Sequence, residues 1–541
     1  MPAVFFHPDG YSTEGARVMG RRVAGRELLR AHFERAVERE VPRLTCHAAN
    51  RELAVGFAQA GREHGFKGKV RLVDLLSTGP LEEDGTLYLP DPSLAPHAAF
   101  RERVGRSRYS LCGVIHSLVS SETLELIASL TTAPIADWDA LTCTSRAGRA
   151  VVEEVLIHRE RWLAERVGAT RFVRPELPVI PLGVHVGDYL GLQDDKAEAR
   201  AALGLPRDAK VVVFVGRLSL HAKAHPLPMY LALERAMDRV GPIVLLECGS
   251  FGDASSGEAF RELRAGFPRL LGGLVGGETP ATEAQKQACL AAADVFVSLA
   301  DNVQETFGLS VIEAMAAGLP VVVSDWDGYK DTVIDGEQGF RVTTTMPPVG
   351  AADHIAAAYE RRLIDYDRYV GYLSQHVVVD IDEAADRIAT LLSNPELART
   401  MGASGAERAA RDYAWSAVYR RYEALWDELA ARRKAAGPEH RAASAGALVR
   451  PVEALYASFP SRTSSLGSRF RVGSTERSAL QLSGVRAAME GALALDRAGM
   501  LVDRWSSHGP DGGAAEEATP RAVGELHALA KYGLLDEVEG D

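Results

Sequence analysis

Short apolar runs alternate with helical stretches along most of this chain, and that alternation restricts it to parallel sheets wrapped by helices. A first series reaches to about Leu205, with strands predicted at Val4–Phe6, Val70–Leu76, Gly113–His116, Ala140–Cys143 and Val179–Leu182. A second series follows Pro206, with VVVFVG at Val211–Gly216, IVLL at Ile243–Leu246, VFVSL at Val295–Leu299 and VVVS at Val321–Ser324. The pattern predicts two doubly wound α/β domains in tandem, at 1–205 and 206–415. Ligands of such sheets bind outside the carboxyl ends of the strands, so two facing sheets enclose a cleft. Val418, Tyr422, Leu425, Trp426 and Leu429 fall at helical spacing and predict a long helix over 416–436. Beyond Gly437 the residues turn to Ala, Gly and Ser, which reads as a linker before a small helical accessory region within 437–541. The last helix of that region is predicted to start at Thr519 and Pro520 and to stop at Gly533.

With 541 residues the chain has room for about three or four domains. A hydrophobic fraction of 46% and a charged fraction of 25% are those of a soluble globular protein. The net charge of -12 argues against a general nucleic-acid binder. No apolar run approaches the ~20 residues of a membrane span, and the start MPAVFFHPDG lacks a basic n-region and a long h-region, so a cytoplasmic protein is expected. Cys46, Cys112, Cys143, Cys248 and Cys289 are scattered and form no CxxC, which suits buried thiols in a reducing compartment better than disulfides or zinc.

The segment ETFGLSVIEAMAAGLPVVVSDWDGYKDTVIDGEQG, from Glu305 to Gly339, carries the most chemistry. Glu305 and Glu313 are eight residues apart around Gly308, with a helical run from Val311 ending at Gly318 and Pro320. The amides of Thr306, Phe307, Gly308 and Leu309 are expected to be free at the helix start, where they suit a phosphate or a polyhydroxylated sugar. Glutamates eight apart are frequent by chance, so the pair alone weighs little, and solvated helix acids are its bland alternative. In the stretch VVVFVGRLSLHAKAHPLP, Gly216 and Arg217 end a strand and Lys223 lies in the turn, where two cations can neutralise a leaving diphosphate. His221 and His225 are four apart, but Pro226 argues against a regular helix and no HExxH or third ligand accompanies them, so they are read as shaping the turn.

In this order the motifs resemble the retaining glycosyltransferases of GT-B fold, in particular family 4 with its E-x7-E motif, over roughly residues 1–436. The resemblance implies that Glu305 holds hydroxyls of the transferred sugar, that Glu313 holds the ribose of the nucleotide, and that Arg217 and Lys223 bind the donor diphosphate. The spacing of Arg217 and Lys223 is six where the family commonly has five, which implies a loop longer by one residue. It further implies that the loop HPDGYSTEGARVMG brings Gly15 near the donor phosphates, although Ala16 stands where a second Gly is usual. His116 matches the first-domain histidine facing the transferred sugar, Ser145 ends a strand of the family pattern, and Pro181 begins the family's PLGV turn. Glu247–Ser250 and Leu274–Gly277, with Gly249 and Val275, are the candidates to face the donor base, and Gly216 is a further donor-binding candidate. Two DWD triplets, Asp137–Asp139 and Asp325–Asp327, are read as structural rather than as metal ligands. No cofactor and no metal are expected, the nucleotide-sugar being a substrate. A transfer without an evident nucleophile would proceed, by the same resemblance, through front-face attack beside the departing diphosphate.

The expected partners are a nucleotide-sugar (UDP- or GDP-sugar) and a saccharide or lipid-linked saccharide acceptor, in polysaccharide or glycoconjugate synthesis. Arg17, Arg21, Arg22, Arg26 and Arg30 form a basic helical face that suits an anionic acceptor or the inner face of a membrane, with pairing to Glu14, Glu27 and Glu34 as the plainer alternative. Residues 342–379 replace a shorter family loop and suggest a helix pair at the cleft rim, a partner surface, or packing alone. Two further readings stay open on the sequence: a nucleotide-sugar epimerase of the same fold, and a catalytically silent sugar-nucleotide-binding scaffold.

Overall fold

β-Branched residues run unbroken through the central strands because both faces of a parallel sheet are covered. In the computed structural model, strand β7 (Lys210–Val215) reads KVVVFV, with Val211, Val212 and Val213 fully buried. The structure describes residues 1–12, 20–221, 223–437, 456–460, 463–466, 468–489, 493–506, 513–514 and 519–538, so Gly15 and Arg17 lie outside the described residues. The chain divides into two compact units, Met1–Gly446 and Ala447–Asp541.

The first unit holds two parallel six-stranded sheets. One comprises β1 (Ala3–Phe5), β2 (Arg43–His47), β3 (Lys69–Val73), β4 (Thr86–Tyr88), β5 (Ser110–Val114) and β6 (Ala140–Thr142), in the order β3-β2-β1-β4-β5-β6. The other comprises β7, β8 (Ile243–Ser250), β9 (Leu271–Gly277), β10 (Val295–Ser298), β11 (Val321–Ser324) and β12 (Gly339–Val342), in the order β12-β11-β10-β7-β8-β9. Both orders reverse beside their first strand, so each sheet has a switch point where neighbouring crossovers part and leave a crevice at the carboxyl ends. In the second sheet that crevice lies between β7 and β10. The predicted strand at Val179–Leu182 does not form. Only Val179 bridges to Cys143, because Pro178 and Pro181 flank a segment that leaves the sheet toward the second half.

The two halves are tied by α9 (Trp415–Ala436), which returns to the first sheet. Its apolar stripe of Val418, Tyr422, Leu425, Trp426 and Leu429 packs with Tyr88, Cys112 and Val114. Tyr419 Oη lies 2.7 Å from His32 Nδ1, and Arg35 holds Glu423 at 2.8 Å. The PLGV turn meets the same crossover, since Val184 N donates to Tyr413 O at 2.8 Å and Trp415 N donates to Val184 O at 3.1 Å. In the second unit, α10 (Leu495–Trp505) and α11 (Pro520–Ala530), the latter capped by Thr519, form the expected helical region. They share a core with a three-stranded antiparallel sheet, β16 (Gly513–Ala514), β15 (Arg469–Val472) and β17 (Leu535–Val538), that the sequence did not suggest.

All five cysteines are buried and free. Of the two DWD triplets, the first is structural: Asp139 and Arg101 are both fully buried and form a bidentate pair at 2.6 and 2.7 Å, and Asp139 also accepts from Leu111 N and Ala136 N at 2.9 Å. Asp139→Ala would strand the Arg101 charge in the core. We expect it to destabilise the protein by about 3–5 kcal/mol in urea unfolding, whereas a loss below about 1 kcal/mol would mean that water reaches the pair.

Candidate active site

The crevice of the second sheet is built from the loops that follow β7 and β10. Gly216 and Arg217 leave β7 at its carboxyl end, and a Cβ on Gly216 would come within 3.4 Å of the Lys223 side chain. The loop then turns into α3 (Pro226–Val240), whose N-cap is His225, with its ring nitrogen accepting from Leu227 N at 3.3 Å. Asp301, beyond β10, accepts from His225 N at 3.2 Å, and Asn302 donates to the His221 carbonyl. Both histidines therefore serve the turn. Among the described residues no group of three or more His, Cys, Asp and Glu is placed to hold a metal ion.

Lys223 Nζ forms an ion pair with Glu305 Oε2, and only 19% and 12% of the two side chains are exposed. Burial works against the charge on each, but each partner's opposite charge prevails: Lys223 is raised above its ordinary value and Glu305 is lowered below its own. Glu305 is thus an ionised acceptor. Its other oxygen takes hydrogen bonds from Gly308 N at 2.9 Å and Phe307 N at 3.4 Å. This corrects the expectation of free amides from Thr306 to Leu309, because the chain's own carboxylate reaches back over its helix start and satisfies two of them. Gly308, the N-cap of α4 (Leu309–Ala316), has φ +95°, and a Cβ there would sit 2.2 Å from the Tyr329 ring. The Phe307 side chain is buried in the core, and Leu309 packs at the edge of the same cluster.

The second DWD triplet places Asp327 near this loop. It has φ +46°, a conformation that Asp tolerates better than most residues, and it lies beside Glu305. Burial and the neighbouring Glu305 charge push its carboxyl well above the usual range. In the same triplet Asp325 pairs with Arg341 at 3.0 Å.

One helix face further on, Glu313 accepts from Lys286 Nζ at 2.8 Å and from Tyr189 Oη at 2.9 Å. A second carboxylate is thereby held with a lysine and a phenol at the sheet's carboxyl edge. Gly249 lies where a Cβ would be 1.8 Å from the Gly216 carbonyl, so its glycine is dictated by β7–β8 backbone approach rather than by an open ligand face. Val275 pairs with Cys248 across β8 and β9 and is partly buried. Glu247, on the same strand, is fully buried, with Tyr230 Oη donating at 2.8 Å and Arg264 Nε at 3.4 Å from its other oxygen.

On the first half, His116 Nε2 lies 2.9 Å from the Pro90 carbonyl. A carbonyl only accepts, so Nε2 carries the proton and Nδ1 keeps its lone pair. Burial lowers His116 to about 4, against the pull of Pro90 and Asp91, so it is neutral at physiological pH. Contacts cross to the Glu305 loop from this side: Ser117 Oγ to Gln304 O at 3.5 Å and Thr144 Oγ1 to Thr306 O at 3.4 Å. Ser145 caps the helix Arg146–Val167 by accepting from Gly148 N at 2.9 Å. The described part of the basic face is largely paired: Arg22 with Asp9, Arg26 with Glu27, and Arg30 with Glu34 and Asp188. Among the described residues no helix is long and apolar enough to cross a membrane.

Residues 277–373 match the family model described as Glycosyl transferases group 1. The chain is 30% identical over 228 residues to a phosphatidyl-myo-inositol mannosyltransferase of Mycolicibacterium smegmatis, covering 42% of this chain and 51% of that protein. It is 33% identical over 198 residues to a D-inositol 3-phosphate glycosyltransferase of Streptomyces avermitilis, covering 36% and 39%. The chain thus spans about half the length of the curated relatives it matches, or less. Its fold is similar to that of Anabaena Alr3699/HepE, solved in complex with UDP and glucose, with a TM-score of 0.51 at 15% identity over 79% of this chain and all of that one. The architecture is GT-B, and Glu305, Glu313 and Asp327 lie within the residues that match the glycosyl transferases group 1 model.

Burial raises Glu247 to about 7, against Tyr230 and Arg264, so the folded protein keeps a proton that the unfolded chain releases above the ordinary 4.5. That contribution to stability is full below pH 4.5 and is lost as pH rises to about 7. Glu247→Gln should therefore gain on the wild type between pH 5 and pH 8 when their urea midpoints are compared. A difference that stays constant over this range would contradict the assignment.

Proposed function

We propose that this protein is a retaining, metal-independent glycosyltransferase that moves a sugar from a nucleoside diphosphate sugar, UDP- or GDP-linked, to a hydroxyl acceptor. The observation that carries the reading is the partly buried Lys223–Glu305 pair at the switch point of the second sheet, with Arg217 on the same loop. Arg217 and Lys223 suit the diphosphate, on which negative charge grows as the glycosidic bond breaks, and preorganised cations stabilise growing charge. Glu305, ionised and fixed by two backbone amides, suits sugar hydroxyls, and Glu313 suits the ribose. The bond from the anomeric carbon to the phosphate oxygen breaks with its electron pair leaving on the diphosphate. The acceptor oxygen bonds to the same face of the sugar, and its proton passes to a diphosphate oxygen. His116, neutral with an open Nδ1, can accept a hydrogen bond from a sugar hydroxyl across the cleft. Of the residues expected at the base, Val275 at the edge strand β9 is only partly buried, whereas Gly249 is packed against the Gly216 carbonyl. The names of the matched relatives favour an acceptor that carries inositol phosphate, free or in a lipid. A lipid acceptor would bring the protein to the cytoplasmic face of a membrane.

The test is release of nucleoside diphosphate from UDP-, GDP- and ADP-sugars in EDTA, with inositol phosphate or phosphatidylinositol vesicles as acceptor. One donor should turn over, and Glu305→Gln should lower the rate about 10²-fold through lost positioning. Interconversion of donor sugars without transfer would establish an epimerase instead. Binding without turnover would establish a scaffold.

A further inference from the structure

A cavity of about 440 Å³ lies where the chain passes twice between the halves, at Pro181 and at Tyr413. That is room for a small organic ligand. None of Arg217, Lys223, Glu305 and Glu313 lines it, so it is separate from the crevice described above. Its walls come from both halves. The helix Arg146–Val167 of the first half supplies Arg146 and Arg149, the segment after the Asp327 turn supplies Asp331, and the crossover supplies Arg408, Asp412 and Arg421. An ion pair joins the halves on one side: Arg146 donates to Asp331 through Nε at 2.7 Å and through its backbone N–H at 2.6 Å.

Four arginines against two aspartates leave this lining two positive charges in excess. The aspartates are also committed. Both oxygens of Asp331 face Arg146, and both oxygens of Asp412 face Arg411, which lies outside the lining, at 3.0 and 2.8 Å. The arginines keep donors to spare. Arg146 is 77% exposed, and its side chain meets Asp331 through Nε. Arg149 likewise meets Glu153 through Nε, at 2.8 Å. Arg408 donates through Nε and Nη2 to the Thr332 and Asp331 carbonyls at 3.2 and 3.0 Å, with Asp412 at 3.9 Å from Nη1. Arg421, on α9, enters no ion pair among the described residues. Guanidinium groups only donate, so a cavity walled in this way selects an anion rich in acceptors. Arginine's planar fork fits phosphate oxygens in pairs.

We propose that this cavity is a second ligand site, which takes a phosphomonoester carried on a sugar or polyol. Arg146 and Arg149 hold the phosphate from the first half, and Arg408 and Arg421 hold it from the crossover. The bound anion would then tie the two halves together beside the Arg146–Asp331 pair. The inference stands apart from the glycosyltransferase reading, since no residue of the donor crevice takes part.

Titration calorimetry of the full chain with inorganic phosphate, inositol phosphate and inositol tests it. The wild type should bind both phosphates and not inositol. Arg149→Gln and Arg421→Gln should each weaken inositol phosphate binding about tenfold, the size of one hydrogen bond to a charged group. Both side chains are exposed, so thermal melting should be unchanged. Arg420→Gln, an exposed neighbour outside the lining, should bind as the wild type does. A wild type that binds neither phosphate overturns the inference, and so does unchanged binding when Arg149→Gln and Arg421→Gln are combined. Equal loss in Arg420→Gln would reveal a diffuse surface charge effect and overturn it as well. Nucleoside diphosphate release enters none of these readouts, so the two proposals fail separately.

Discussion

A lysine and a glutamate, each penalised by burial and each held charged by the other, tie together the two loops of the second half of this protein's cleft. Lys223 belongs to the loop after β7 and Glu305 to the loop after β10, the two strands between which the sheet order reverses. Removing one partner of such a pair costs several kcal/mol, because the other charge is left in a poorly solvated place. The pair therefore fixes the two loops relative to each other before any ligand arrives. It also turns Glu305 back over the start of α4, so that its second oxygen takes the Phe307 and Gly308 amides. On the proposed glycosyltransferase reading, an arriving diphosphate would offer Lys223 a stronger anionic partner, and Glu305 would keep its charge through those amides while its other oxygen turned to hydroxyls.

The surrounding glycines are consequences of this closeness. Gly308 must pass the Tyr329 ring, and Gly249 must pass the Gly216 carbonyl, so the loops can lie near enough for the ion pair to form. Across the cleft, α9 anchors the second half to the first through the Tyr422, Trp426 and Leu429 stripe, which places His116 and Ser117 on the far side of the Glu305 loop.

The α/β alternation and the two tandem sheets were legible because runs such as VVVFVG and VVVS carry their own signal. Strands β2, β4, β9 and β12 were missed: β2 mixes Arg, Thr and His with few apolar residues, β4 is three residues long, β9 reads LGGLVGG with four glycines, and β12 is four residues with an arginine among them. The chemistry of Glu305, Lys223 and Glu313 was legible as spacing, but their partners were not, since Tyr189 and Lys286 lie far from Glu313 in sequence and meet it only through the sheet. The left-handed backbone of Asp327 was not legible, because its φ of +46° leaves no mark on composition. The insertion was visible as extra length, whereas its packing on His221 through Gly371 and Asp367 was not.

The most direct test of this account is a double-mutant cycle on Lys223→Met and Glu305→Gln, read as kcat/KM for nucleoside diphosphate release. If the pair acts as one unit, the double variant should be no worse than the poorer single variant, with a coupling of at least about 1 kcal/mol. Losses that simply multiply would show two residues acting independently, and would contradict the claim that their ion pair organises the site.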